Sequence, residues 1–377
     1  MTRTQLHFQW REPKAPGQFR TAVSLHSHTM HSRESLDFIP RLARTIPGVR
    51  EALAAEERAY ARRNGRLLNY AGACWTPPHP EREALRLEQR QIEERLGLAA
   101  LISLTDHDNI EASSHLHLFE EYASTPVSVE WTVPFGRSFF HLGVHNLPRD
   151  EARQWMSRMA AYTAAPAACD LRALLAGLSE RPEILVVFNH PLWDEMVIGQ
   201  AAHREMVAGF LGRFGGWLHA LELNGMRTWP ENQAVLAIAA ASGHPVVAGG
   251  DRHGSEPNAV LNLTNARDFA AFSDEVRRGG VSEVLVLPQY REPQRLRYAE
   301  TVWDVVREYP EYTGRVRWTD RCFYRNREGV EAPLSAAWNG DGPGVVSAFF
   351  FFARLVFSRQ VRPTLRLAMR ARGEVLP

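Results

Sequence analysis

The sequence predicts an α/β fold, on three observations. The first is a series of short apolar runs rich in β-formers: 21–25 (TAVSL), 101–105 (LISLT), 127–131 (VSVEW), 139–145 (FFHLGVH), 183–188 (EILVVF), 219–223 (HALEL), 245–250 (PVVAGG) and 283–288 (EVLVLP). These runs are mostly continuous rather than alternating, which is how strands covered on both faces read. The second is helical sequence between them. Residues 231–242 (ENQAVLAIAAAS) are followed by Gly243, where a helix C-cap belongs, and 268–278 (DFAAFSDEVRR) run into Gly279 and Gly280. Strand and helix in alternation predict a parallel sheet, and about eight strands favour a barrel over an open sheet. The third is that His, Asp and Glu fall at the ends of the strand runs, the face on which barrel active sites lie.

Composition narrows the partners. With 377 residues, 45% of them hydrophobic, the chain can bury a large core. A formal net charge of +1 gives no global field for a nucleic acid polymer, and none is expected as a partner. Lys14 is the only lysine, so a catalytic lysine elsewhere is excluded. Cys74, Cys169 and Cys322 are scattered with no CxxC pair, which predicts a reducing compartment. The first 18 residues hold no apolar core of a signal peptide, and the longest apolar run, 345–353, is too short for a membrane span. The expectation is a cytoplasmic protein without a transmembrane segment.

Residues 1–20 form a lead, and the strand–helix pattern occupies 21–290. Within it, 41–98 are charged and poor in β-formers, which predicts a helical insertion between the first two strands. A C-terminal extension, 291–377, contains a connector at 339–344 (NGDGPG). It ends in 354–377 with six arginines against the single acid Glu374, most simply a surface helix with solvated arginines.

The metal-type residues sit in order along the strands. His26 and His28 follow the first run, and Asp106, His107 and Asp108 the second. Glu130 lies near the end of the third, and His141 and His145 lie in the fourth. His190 follows the fifth, Glu222 and Asn224 close the sixth, and Asp251 and His253 follow the seventh. On an extended segment residues i and i+2 point the same way, so both imidazoles of HxH can reach one ion. Imidazoles with a few carboxylates suit Zn, Fe or Mn, whereas Mg and Ca prefer all-oxygen sites. His7, His79, His115, His117, His203, His219 and His244 fall in predicted helices, caps or loops and read as structural or solvent-facing. His31 and His145 stay open.

The ordered set resembles the PHP superfamily of metal-dependent phosphoesterases, named for the domain shared by bacterial DNA polymerases and histidinol phosphatases. The matching pieces are LHSHT, LTDHD, VEW, FFHLG with its histidine eleven residues after the glutamate, FNHP and GGDRHG. The resemblance spans roughly residues 21–290 and implies a distorted (β/α)7 TIM-like barrel with a helical insertion and a C-terminal extension. It implies two or three divalent ions (Zn, Mn or Fe) held by His26, His28, His107, Glu130, His141, His190, Asp251 and His253. Glu130 would bridge two ions, and Asp106 would orient a ligand. One position departs from the pattern. Many members follow HxH with Ser-Asp, and here Arg33 stands at the aspartate. Either Glu34 or His31 replaces it, or one subsite is weakened, and Arg33 could instead clamp a phosphate.

The activity implied is hydrolysis of a phosphate ester of a small molecule or nucleotide by a metal-activated hydroxide at a di- or trinuclear site. His190 and Asp251 are candidates for the proton-transfer step, and Arg33, Arg227 and Arg252 for binding substrate. The insertion could form a lid over the mouth. Two alternatives stand beside this reading. One is an amidohydrolase acting on C–N bonds, disfavoured because Lys14 is far in sequence from any metal-bridging position. The other is a non-catalytic barrel that holds metal as a scaffold.

Overall fold

The computed structural model describes residues 3–36, 49–65, 67, 69–325 and 329–338, with residues 351, 361 and 364 singly. The strands among them are β1 (Arg3–Phe8), β2 (Thr21–Ser27), β3 (Glu34–Ser35), β4 (Ala73–Trp75), β5 (Ala99–Leu104), β6 (Val127–Phe135), β7 (Ser138–Leu147), β8 (Leu185–Asn189), β9 (Ala220–Asn224), β10 (Val246–Gly249), β11 (Val260–Thr264), β12 (Val281–Val286), β13 (Cys322–Arg325) and β14 (Glu331–Pro333). Each of the eight apolar runs lies in or overlaps a strand. β1, β3, β4, β11, β13 and β14 are additional. β11 is interrupted by Asn262, a residue poor in strands, whose amide here bonds Ala248 N and O across to β10.

The protein is a mixed α/β fold, with three sheets among the described residues: β1-β12-β11-β2-β5, β10-β9-β8-β7-β6, and β14-β13-β4-β3. This corrects the all-parallel expectation. β6, β7 and β8 are antiparallel, and β11 runs antiparallel to both of its neighbours. The cause is local. Only Gly136 and Arg137 separate β6 from β7, with Gly136 at φ 61°, and two residues make a hairpin but not a crossover. Nor do the ladders run as one closed ring. The two five-stranded sheets meet at two seams. At one, His107 and Glu130 bridge; at the other, Gly250 N and Asp251 N donate to Leu25 O and His26 O of β2.

The largest core lies between the second sheet and the helices Ala152–Ala164, Leu171–Glu180, Gln200–Phe214 and Trp229–Ser242. Trp131, Phe188 and Phe210 are among its most buried side chains. Burying each such ring stabilises the fold by about 1.5–3 kcal/mol. The predicted C-cap at Gly243 is present, at φ 74°.

The insertion holds helices Val49–Asn64 and Glu81–Arg90, the latter prolonged by a wider turn at Gln91–Leu96. It is not wholly helical, because β4 pairs with β3 on one side and with β13 of the extension on the other. Strand pairing across some 250 residues leaves no local sequence signal. The connector 339–344 lies outside the described residues, as does the arginine-rich end 354–377 apart from residues 361 and 364. No helix among the described residues is long and apolar enough to cross a membrane.

Candidate metal centre

Three residues at strand ends leave the extended conformation to turn inward. His26, His190 and Asp251 have φ of 65°, 26° and 56°. Such left-handed conformations cost a non-glycine residue about 1–3 kcal/mol each and gather at functional sites.

Glu130, fully buried in β6, is the hub. Its Oε2 lies 3.0 Å from His26 Nε2, 3.2 Å from His28 Nε2 and 3.3 Å from His107 Nδ1. Its Oε1 lies 3.1 Å from His190 Nε2 and 3.5 Å from His141 Nδ1. Asp251 Oδ1 is 3.6 Å from both His26 Nε2 and His28 Nε2 and 3.5 Å from His253 Nδ1. Glu34 completes the far side, with Oε2 3.2 Å from His107 Nε2 and Oε1 3.2 Å from His253 Nε2. The structure therefore brings together His26, His28, Glu34, His107, Glu130, His141, His190, Asp251 and His253. At the divergent position it is Glu34 that reaches the centre. His31 turns away to Glu81 and Glu111, and Arg33 pairs outside with Glu331 at 2.6 Å.

The donor set fits divalent ions by an observation of its own. His26 Nε2, His28 Nε2 and Glu130 Oε2 are fully buried and make no hydrogen bond, although they crowd within 3.0–3.2 Å. Buried polar atoms without partners are costly, and lone pairs aimed at a common point are what a cation satisfies. Four groups of three or four donors overlap here: His28/Glu34/His107/His253, His26/His28/Glu130, His26/His190/Asp251 and His107/Glu130/His141.

The electrostatics follow from crowding. Burial pushes Glu34, Glu130 and Asp251 up, but the surrounding histidines outweigh it and hold all three well below the usual carboxylate range. Burial pulls His26 and His107 down, yet the adjacent carboxylates lift both well above the ordinary imidazole value. His141 goes the other way, lowered by burial and by His107, His190 and His26 despite Glu130.

A supporting layer fixes these side chains. Glu222, buried in β9, accepts from His190 N (2.7 Å) through Oε2, and its Oε1 lies 2.6 Å from His26 Nδ1. Gly249 makes room for it, since a Cβ there would lie 1.7 Å from Glu222 Oε1. Asp106 accepts from Thr29 N and Thr29 Oγ1, pinning the loop between His28 and His31.

The arginines separate. Arg227 is buried, reaches Asp251 Oδ2 at 3.5 Å, lies 3.6 Å over the Trp193 ring, and keeps Nε and Nη1 without a hydrogen-bond partner. Arg252 is placed away from the donors of the centre. Its Nε pairs with buried Glu88 at 2.8 Å, and Nη1 and Nη2 donate to Gly254 O and Ala84 O, so each of its three nitrogens has a partner within the fold.

Sequence reasoning passed over Glu195. With Phe139, His141, Asn189, His190 and Trp193 it lines a cavity beside the centre. Burial raises its carboxyl above the ordinary range, against the pull of His107 and His190. Its position in an irregular loop, five residues after His190, gave no periodic signal.

The fold and site define a mixed α/β protein with a buried centre of histidines and carboxylates. No protein-family model matches the chain, and no curated protein matches it. Among solved structures it is similar to PsfC from Pseudomonas syringae PB-5123, at 15% identity and a TM-score of 0.42, over 76% of this chain and 98% of that one. It is also similar to an amidohydrolase from Chromobacterium violaceum with bound sulfate and no metal, at 14% identity and 0.34, over 63% and 89%. A third is a two-domain protein from Bacteroides vulgatus containing a predicted PHP-like metal-dependent phosphoesterase, at 13% identity and 0.36, over 69% and 61%.

Proposed function

We propose that the protein is a metal-dependent hydrolase that cleaves a phosphate ester of a small molecule or nucleotide at a centre of two or three divalent ions. One observation carries the reading: nine donors converge around orphaned buried atoms of His26, His28 and Glu130, and Arg227 faces Asp251 with two guanidinium nitrogens unpaired. Zn, Mn or Fe ions held there would supply Lewis acidity and a nucleophilic water near neutral pH.

The chain's own residues supply the rest. Arg227, set in place by Trp193, offers Nε and Nη1 to an anionic oxygen, and a planar fork suits phosphate. Asp251 stays ionised and, with His190, orients what binds beside Arg227. Glu195, whose carboxyl burial raises above its ordinary range, is the group placed to give a proton to the leaving oxygen. The two five-stranded sheets are taken as the halves of a distorted barrel made of β1 and residues 21–290, with the described parts of 41–98 and 291–338 as additions beside it. The small sheet of β3, β4, β13 and β14 supports that division, since it sets Glu34 and places the Trp75 ring 5.8 Å from His253.

The test is phosphate release from a broad ester panel with Mn, Zn or Fe added. Turnover is expected with at least one ion and should be abolished in His26→Ala and Asp251→Ala. Release that survives both substitutions overturns the assignment.

A further inference from the structure

Outside the centre, His31, Glu81 and His115 form a second donor cluster that shares no residue with the nine. They come from three places in the chain: the loop after β2, the first turn of helix Glu81–Arg90 in the insertion, and helix Glu111–Leu116 after β5. His31 Nε2 lies 3.2 Å from Glu81 Oε2, and His115 Nδ1 lies 3.9 Å from Glu81 Oε1. The two imidazole rings meet edge to face with centroids 4.8 Å apart. One donor atom from each residue falls within 4.8 Å of the other two. Ligand atoms about 2.0–2.1 Å from a tetrahedral zinc ion lie roughly 3.3 Å from one another, so this cradle needs only a small closure.

The other nitrogen of His31 is also accounted for. Nδ1 lies 3.3 Å from Glu111 Oε2, one helical turn before His115. A carboxylate behind an imidazole holds the proton on that nitrogen and turns the opposite lone pair toward a metal. The His31 and Glu81 side chains are 8% and 14% exposed, while His115 is 50% exposed, so the site is walled on one side and open to an entering ion on the other. A plain ion pair between His31 and its two glutamates explains His31 but gives His115 no part, since its nitrogen stands beyond hydrogen-bond range of Glu81.

We propose that His31, Glu81 and His115 bind one divalent transition-metal ion of the zinc class, separate from the central ions. Two imidazoles and one carboxylate favour such an ion over Mg or Ca. The site would tie the insertion to the core and fix the loop that leaves His28. It does not depend on the central chemistry being phosphate-ester hydrolysis.

Equilibrium dialysis of the full chain against zinc chloride, followed by elemental analysis, tests this. Wild type should hold one zinc ion per chain more than His115→Ala or Glu81→Gln, and the double variant should lose no more than either single one. His26→Ala should instead lose central metal and keep this ion, which separates the failure of one site from that of the other. His115 is half exposed, so its truncation leaves the fold intact and decides the matter if Glu81→Gln misfolds. Equal zinc in wild type and His115→Ala at saturation overturns the proposal.

Discussion

Glu195 is the residue on which the proposed chemistry turns, because burial raises its carboxyl above the ordinary range while Glu34, Glu130 and Asp251 are held well below it. A proton donor matters most when the leaving group is a poor one. Glu195→Gln is therefore expected to lower kcat by roughly 10²–10⁴-fold for alkyl phosphates and far less for p-nitrophenyl phosphate, whose leaving group needs no proton. Equal losses on both substrates in steady-state kinetics would assign Glu195 to binding or structure instead. At this scale the histidines and carboxylates brought together were largely legible, since they follow the strand runs in order along the chain. Arg252, between Asp251 and His253, turns to Glu88, a partner 164 residues away that sequence spacing does not encode. Glu195 and the orienting role of Glu222 were not legible, because each depends on a loop path or on a strand neighbour that sequence spacing does not encode.

Among the elements, the small sheet of β3, β4, β13 and β14 joins the insertion to the extension and carries Glu34 to the centre. Its anchor is Arg321, 1% exposed, the last residue of the short helix Trp318–Arg321 that leads directly into β13. Its Nη1 donates to Arg315 O and Val316 O, and its Nη2 to Val305 O and Arg307 O, at 2.7–3.0 Å. Four carbonyls around one buried cation hold the chain between helix Gln294–Val306 and β13. Arg321→Met keeps the volume but strips all four acceptors of their donor. It should cost about 3 kcal/mol or more of unfolding free energy, read from urea melts. A loss under about 1 kcal/mol would mean that water replaces the guanidinium and that the extension is held elsewhere. The sequence marked 41–98 as an insertion but read it as helix throughout. The three residues of β4 form a strand because Glu34–Ser35 and Cys322–Tyr324 lie on either side of them, and no short window along the chain contains all three segments.

Over the whole molecule, pairing order was the least legible feature. β1 joins β12 across nearly the full described length, and such contacts follow from closing the fold rather than from local pattern. Some of these long-range meetings rest on neutral imidazoles. His145 Nδ1 and Ser103 Oγ, 2.8 Å apart, join β7 of one sheet to β5 of the other, and His79 lies 2.9 Å from both Tyr312 and Ser255. His219 Nδ1 accepts Val186 N at 2.8 Å, locking the start of β8 to that of β9. Burial pushes all three down to about 3, with Arg277 and His244 adding to the effect at His219. Each therefore stabilises the fold fully above pH 6.5. That contribution is lost as pH falls toward 3, where the unfolded chain takes a proton the native state refuses. His7 has the opposite sign: burial lowers it, but Glu12 and Glu283 raise it above its ordinary value, so its contribution is full below pH 6.5 and fades as pH rises. The pH dependence of the whole protein is a difference between such groups, and a single substitution isolates one of them. Glutamine can accept the Val186 N–H without titrating. His219→Gln should thus make unfolding free energy between pH 6.5 and 5 depend less steeply on pH, by about 1.4 kcal/mol per unit, leaving the variant relatively better off in acid. Urea unfolding at pH 7, 6 and 5 measures this, and parallel curves for variant and wild type would show that His219 is protonated in the native protein.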